Sequence, residues 1–299
     1  MSHSKKLRRR LVERAESGAQ VAPMRDVWRA FCRHRVSVVA LVVLVVIIVT
    51  AIAAGIVFSE QQLTQMSAAQ RLAPPSPEHW FGTDNYGRDE FARVIYGARY
   101  SLFFGLVTAL ASLVIGTLIG ASCAYFGGWY DTVVMRVMDA LVCIPSLLLM
   151  LALVAAIGRG MHGIIVALVV TSVPGTARII RSIVLGVVNN EYVEAARAAG
   201  VSDWMIIARH VLPNAVGPIL VDVLMSISGC IVAASSMSFL GMGVQPPAPE
   251  WGAMINEAMT LFRQDPMLVI YPGMAVVVTS LCFNLLGDGL TDSLDAHSR

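Results

Sequence analysis

The stretch E-Y-V-E-A-A-R-A-A-G-V-S-D-W-M-I-I-A-R-H-V-L-P, Glu191 to Pro213, lies between two long runs that contain no Asp, Glu, Lys or Arg, 160–177 before it and 223–249 after it. Four more such runs occupy 36–59, 100–130, 140–158 and 266–287. A bilayer core of about 30 Å takes roughly 20 helical residues to cross, so the runs predict six membrane-spanning helices and an all-α membrane protein. Composition agrees: 56% of the 299 residues are hydrophobic and 14% charged, against about 25% charged in soluble domains, and mean hydropathy is +0.68. The polar stretch between the fourth and fifth spans then reads as a surface presented at the membrane face.

Charge sets the orientation. Residues 1–35 hold ten basic and three acidic residues, a balance of +7, and the whole chain sums to +2, which leaves −5 for the rest. Basic residues flanking a first span hold that flank in the cytoplasm. Six spans then place both termini inside. A nucleic-acid-binding tail fits less well, because the basic cluster abuts a span. Met24, Val27, Trp28 and Phe31 recur at helical spacing with Arg25, Arg29 and Arg33 between them, which predicts an amphipathic elbow helix on the inner leaflet.

The predicted order is a cytoplasmic tail with its elbow helix (1–35), a first span (36–58), an extracytoplasmic segment (59–99), a core with five spans and a cytoplasmic loop at 190–213 (100–290), and a short tail (291–299). The later spans fall near 101–126, 137–157, 162–181, 215–240 and 267–287, with an outer loop at 241–265. Pro145 and Pro174 sit inside spans three and four and predict kinks. Arg136 and Asp139, three apart on one helix face, predict a local ion pair. Asp222, inside span five, is expected to pair with Arg178 or Arg181 at the inner end of span four.

Within the loop, Glu191 to Ala199 predicts a short helix whose alanines make a smooth surface. Gly200 takes the position just past its end. Ser202 is placed to cap a second helix from Asp203 to about His210, which Pro213 either ends or converts into the first turn of span five. Small residues permit close approach by another surface, and Glu191, Glu194 and Arg197 offer charge.

Outside, Gly82 to Gly87 reads as a turn and helix cap around Asp84; the Asp84–Asp89 spacing is not that of a calcium loop. Gln245-Pro246-Pro247-Ala248-Pro249 predicts a stiff extended element, and Trp251 an interface anchor. The six histidines form no HExxH-like set, and no nucleophile–base pair is evident. Five cysteines in or beside spans, with no CxxC spacing, offer neither a disulfide framework nor a metal site. Catalytic residues and a metal are therefore not expected.

The run Glu194-Ala195-Ala196, then Gly200, then Leu212-Pro213 resembles the EAA loop of the inner-membrane permease subunits of binding-protein-dependent ABC importers. Three further stretches resemble one branch, the second permease of dipeptide, oligopeptide, glutathione and nickel importers. They are H-W-F-G-T-D-N-Y-G-R-D (His79 to Asp89) with Y-G-A-R-Y-S-L after it, S-F-L-G-M-G-V-Q-P-P-A-P-E-W-G (Ser238 to Gly252), and F-N-L-L-G-D-G-L (Phe283 to Leu290). The likeness runs from about residue 24 to Asp295. The chain departs from the common pattern at His210, Thr291 and Asp295-Ala296.

This resemblance implies a type I ABC importer transmembrane domain in a bacterial inner membrane. It implies a second, homologous permease subunit, two ATPase subunits and an extracytoplasmic substrate-binding protein as partners, with no nucleic acid. The loop residues Glu191, Glu194, Ala195, Ala196, Arg197, Gly200, Leu212 and Pro213 would couple to the ATPases. Asp84, Arg88, Gln245, Pro246, Pro247 and Trp251 would lie where the binding protein docks. ATP-Mg would belong to the partners, because a Walker A loop needs Gly-x-x-x-x-Gly-Lys and no lysine follows Lys6. The rival class is a stand-alone ion- or proton-coupled carrier or channel. It needs titratable groups at mid-membrane, which spans one, two and six lack.

Overall fold

The computed structural model describes residues 24–59 and 63–298, and almost all of them are helical. In chain order the helices are α1 (Met24–Phe31), α2 (Arg35–Val57), α3 (Glu90–Phe126), α4 (Gly128–Val142), α5 (Ser146–Ile157), α6 (Met161–Val188), α7 (Glu191–Ala198), α8 (Asp203–Ile206), α9 (Leu212–Phe239), α10 (Trp251–Ala258) and α11 (Met267–Ser298). Five are long and apolar enough to cross a membrane: α2, α3, α6, α8 running on into α9, and α11. A sixth crossing exists if α4 and α5 count as one broken span.

That break corrects the expectation of a single third span at 137–157. The chain turns by 88° between α4 and α5. Pro145 stands at the break in an extended conformation, φ −50° and ψ 124°. A proline ring offers no N–H and pushes the residue before it out of helical geometry. Pro174 behaves otherwise. α6 continues through it without interruption, as membrane helices permit when neighbours re-satisfy the freed carbonyl.

The most extensive helix pair is α3 with α6, and its closeness rests on two glycines. A Cβ at Gly120 would strike the Ala177 carbonyl oxygen and lie 2.9 Å from the Arg181 nitrogen; one at Gly116 would lie 2.8 Å from the Thr176 methyl. Gly116 and Gly120 are four apart, one helical turn, so both face α6. Helices in lipid gain little from apolar burial against each other and associate through such close packing. At one end of the pair, Arg181 forms a bidentate pair with Asp131 and Arg178 donates to Asp139 at 2.7 Å, so α6 is also pinned to α4. The expected Arg136–Asp139 pair is replaced by this one, because the break at Pro145 lays the α4 aspartates alongside α6.

Three large apolar clusters hold the bundle together. Phe31, Leu44, Ile231, Trp251 and Phe283 join α1, α2, α9, α10 and α11. Phe104, Val154, Leu168 and Met237 join α3, α5, α6 and α9. Ile180, Val184, Val193, Ile206, Val211 and Ala215 join the end of α6 to α7, α8 and the start of α9. The stretch expected as the elbow is helical, α1; Trp28 and Phe31 stack at 5.7 Å.

Candidate functional site

α7 is built to lie with one side down. Val193 and Ala196 are buried in the last of those clusters, whereas Glu191, Glu194, Ala195, Arg197 and Gly200 are exposed. The helix ends in a glycine cap. Gly200 has φ +75°, its N–H bonds the Arg197 carbonyl at 3.0 Å, and the next N–H, of Val201, reaches back to Ala196 at 3.2 Å. These two bonds form a Schellman motif. An L-residue held at that φ costs about 1–2 kcal/mol, which explains a glycine here. Ser202 begins α8, but its side chain makes no capping bond.

The second insert helix does not stop at His210. It passes through a π-helical turn, Ile207–Val211, into α9, and Pro213 occupies the first turn of that helix. Ile206, Ile207 and Val211 are buried, so the polar insert and the following span form one continuous rod.

A contact that spacing alone does not show joins this rod to α3. The Tyr125 hydroxyl, in the last turn of α3, donates to Asp203 Oδ1 at 2.7 Å and accepts from Arg197 Nε at 3.2 Å. The Arg197 guanidinium lies 4.5 Å over the Tyr125 ring, and Phe126 meets Trp204 edge-on at 5.8 Å. Tyr125 therefore bridges α7 and α8 to the neighbouring span. Its place at a helix end reads in sequence as an ordinary interfacial tyrosine.

The other expected stretches meet at the far end of α3, whose 37 residues separate the two sites by about 55 Å along the axis. Asp84 accepts from the N–H groups of Tyr86 (2.8 Å) and Arg88 (3.0 Å) and from Arg88 Nε. Arg88 and Arg93 both reach Glu257 Oε2, at 2.9 and 3.2 Å. Arg93 also donates to the carbonyls of Leu63 and Pro247, at 3.0 and 3.1 Å. Trp251 Nε1 donates to the Val94 carbonyl at 2.8 Å. The 63–89 segment, the start of α3, the proline loop and α10 are thus one fused unit.

Within that unit Asp84, Arg88 and Trp251 are buried, and Gln245, Pro246 and Pro247 are exposed. Trp251, expected as an interface anchor, is instead a core residue at 2% exposure. The proline loop turns at Pro246–Pro247, where an extended element was expected, and just before the turn Gln245 Nε2 donates to the Gly243 carbonyl at 2.9 Å. Asp89 caps α3 through the Ala92 N–H at 2.7 Å, whereas Asp84 divides its carboxylate between turn amides and the Arg88 guanidinium. Sequence reading passed over Arg93, Glu257 and Glu250. The last is wholly buried, caps α10 through the Ala253 N–H at 2.9 Å, and has its carboxyl pushed above the ordinary range by burial, against the Gly252 and Ala253 amides.

Residues 112–299 match the family model described as the inner membrane component of binding-protein-dependent transport systems, and residues 22–75 match the N-terminal transmembrane domain of oligopeptide transport permease C. The chain belongs to this permease family. The permease is 41% identical over 273 residues to a glutathione transport system permease protein, GsiD, of Pectobacterium atrosepticum, with 91% of each chain covered. It is 36% identical over 279 residues to the dipeptide transport system permease protein DppC of Alkalihalophilus pseudofirmus, covering 93% of this chain and 91% of that one.

Among solved structures, the inward-facing MetNI methionine ABC transporter superposes with a TM-score of 0.57 at 18% identity, over 69% of this chain and 97% of that chain. An amino acid ABC transporter superposes with a TM-score of 0.52 at 17% identity, over 66% and 92%. The permease therefore has the fold of type I ABC importer transmembrane domains and works as a multi-pass membrane subunit of an ABC transport system.

Proposed function

We propose that the permease forms half of a translocation path for peptides or glutathione-like solutes in a bacterial inner membrane, and that Glu191 to Pro213 is the handle by which ATPase subunits move it. On this reading a second, homologous permease completes the path, and two ATPase subunits carry ATP-Mg. The loop lies in the cytoplasm, and a substrate-binding protein docks outside against the exposed Gln245, Pro246 and Pro247. Asp84, Arg88 and Trp251, being buried, shape that surface from beneath. Relatives named for glutathione and dipeptide transport support the cargo class.

One observation carries the coupling role. α7 has its apolar side against the bundle and its Glu191, Glu194 and Ala195 side open, while Tyr125 and the continuous rod from Asp203 into α9 connect it to two spans. A displacement of α7 therefore has a stiff route into the membrane. Glu194→Ala and Gly200→Leu should leave membrane insertion intact yet uncouple ATP hydrolysis from uptake in the assembled transporter. Normal uptake by both variants contradicts the assignment. A stand-alone carrier or channel predicts transport by the purified chain in vesicles without ATP, which the coupled reading does not.

A further inference from the structure

A cavity of about 290 Å³ opens between α5, α6 and α9. Its polar lining includes Ser146 of α5, Thr171, Ser172 and Thr176 of α6, and Asp222 and Ser226 of α9. Gly175 and Gly229 also line it, and a Cβ at either would meet nothing within 4 Å. The space is thus kept open by missing side chains on two facing helices.

Asp222 Oδ2 is buried and has no hydrogen-bond partner among the described residues. The arginines expected to neutralise it are engaged elsewhere, Arg178 by Asp139 and Arg181 by Asp131. Asp222 stands ten residues into α9, about 15 Å along its axis. A carboxylate at that depth is costly and is retained where it faces water, a cation or a substrate path. The nearby hydroxyls are suited to complete the coordination of an N–H-rich cation: Thr171 donates to the Ala167 carbonyl at 2.9 Å, which leaves its oxygen lone pairs to accept. The volume sits at the small end of ligand pockets and holds a side chain or one end of a peptide, the remainder lying in the partner half.

We propose that this cavity is a way station in the path where Asp222 receives a cationic group of the cargo, an ammonium or guanidinium. The proposal rests on the reading of this chain as half of a peptide path, and two measurements separate its failure from the failure of that reading.

The first uses the complete transporter in proteoliposomes, with radiolabelled Ala-Lys-Ala and Ala-norleucine-Ala as probes. Asp222→Asn should lower uptake of the lysine peptide, or of both peptides if the α-ammonium is the group received, by about tenfold, the factor corresponding to about 1.4 kcal/mol. Asp222→Glu should retain most uptake, and ATP hydrolysis stimulated by the loaded binding protein should be unchanged in both variants. Wild-type uptake of both peptides by Asp222→Asn overturns the proposal.

The second measurement needs no knowledge of the cargo. A thiol introduced as Gly229→Cys is titrated with a cationic and an anionic methanethiosulfonate of equal size and read at that residue by mass spectrometry. The cationic reagent should react about tenfold faster, and the preference should vanish when Asp222→Asn is added. Equal rates, the result if a cation from the sister subunit already occupies the carboxylate, overturn the proposal, as does failure of either reagent to react. A clear preference in a transporter that imports neither tripeptide leaves the cationic site standing and rejects the peptide cargo.

Discussion

Arg93 decides whether the fused unit of segment 63–89, the start of α3, the proline loop and α10 is one body or several. Its guanidinium is 1% exposed and binds the Leu63 and Pro247 carbonyls and Glu257 together. Removing one partner from a buried charge set leaves the others uncompensated, at a cost of about 3–5 kcal/mol. Arg93→Met should therefore lower the thermal unfolding midpoint of the purified permease markedly, whereas Gln245→Ala, at an exposed neighbour, should leave it within experimental scatter. Tyr125 acts at the opposite end. Tyr125→Phe keeps the ring under Arg197 but deletes the hydroxyl that joins Asp203 to Arg197. A hydrogen bond to a charged group contributes about 1.5–3 kcal/mol. Uptake per ATP hydrolysed should fall several-fold, with expression and insertion unchanged. None of these pairings was legible in the sequence. Asp139 finds Arg178 and not Arg136, and Asp222 finds neither arginine, because partner choice depends on which helices lie side by side.

At the scale of elements, charge-free runs located the spans because lipid imposes length and apolarity on any helix that crosses it. They could not say how the helices pack. α2 and α5 are apolar on every side, with mean hydropathy too uniform to mark a buried face, so the periodicity that orients a soluble helix is absent. One packing signal was present and unused: Gly116-x-x-x-Gly120, which seats α3 on α6. Gly120→Val would place branched carbons on the Ala177 carbonyl. It should separate the two helices and lower the yield of folded permease in the membrane, measured as monodisperse protein after mild detergent extraction; Gly175→Ala, which enters open space, should not. The right-angle turn at Pro145 was half legible. The proline announced a kink, but whether the helix runs on through it, as α6 does through Pro174, or breaks depends on whether neighbours re-satisfy the freed backbone groups.

Across the whole molecule, one long helix separates two specialised ends. The glycine-capped α7 and its rod occupy one, and the fused unit around Arg93 the other, with the Asp222 cavity between the ends. The motifs at both ends were legible in order along the chain. Their fusion through Arg93, Glu257 and Trp251 was not, since those contacts join residues more than 150 apart in sequence. The central claim is that α7 is a cytoplasmic handle held by partner ATPases. The most direct test is a thiol introduced as Ala195→Cys, an exposed position on α7, probed with a membrane-impermeant maleimide and read at that residue by mass spectrometry. The account predicts no labelling in intact cells, rapid labelling in inside-out vesicles stripped of the ATPases, and protection when the ATPases are restored. Labelling from the outside of intact cells would contradict it.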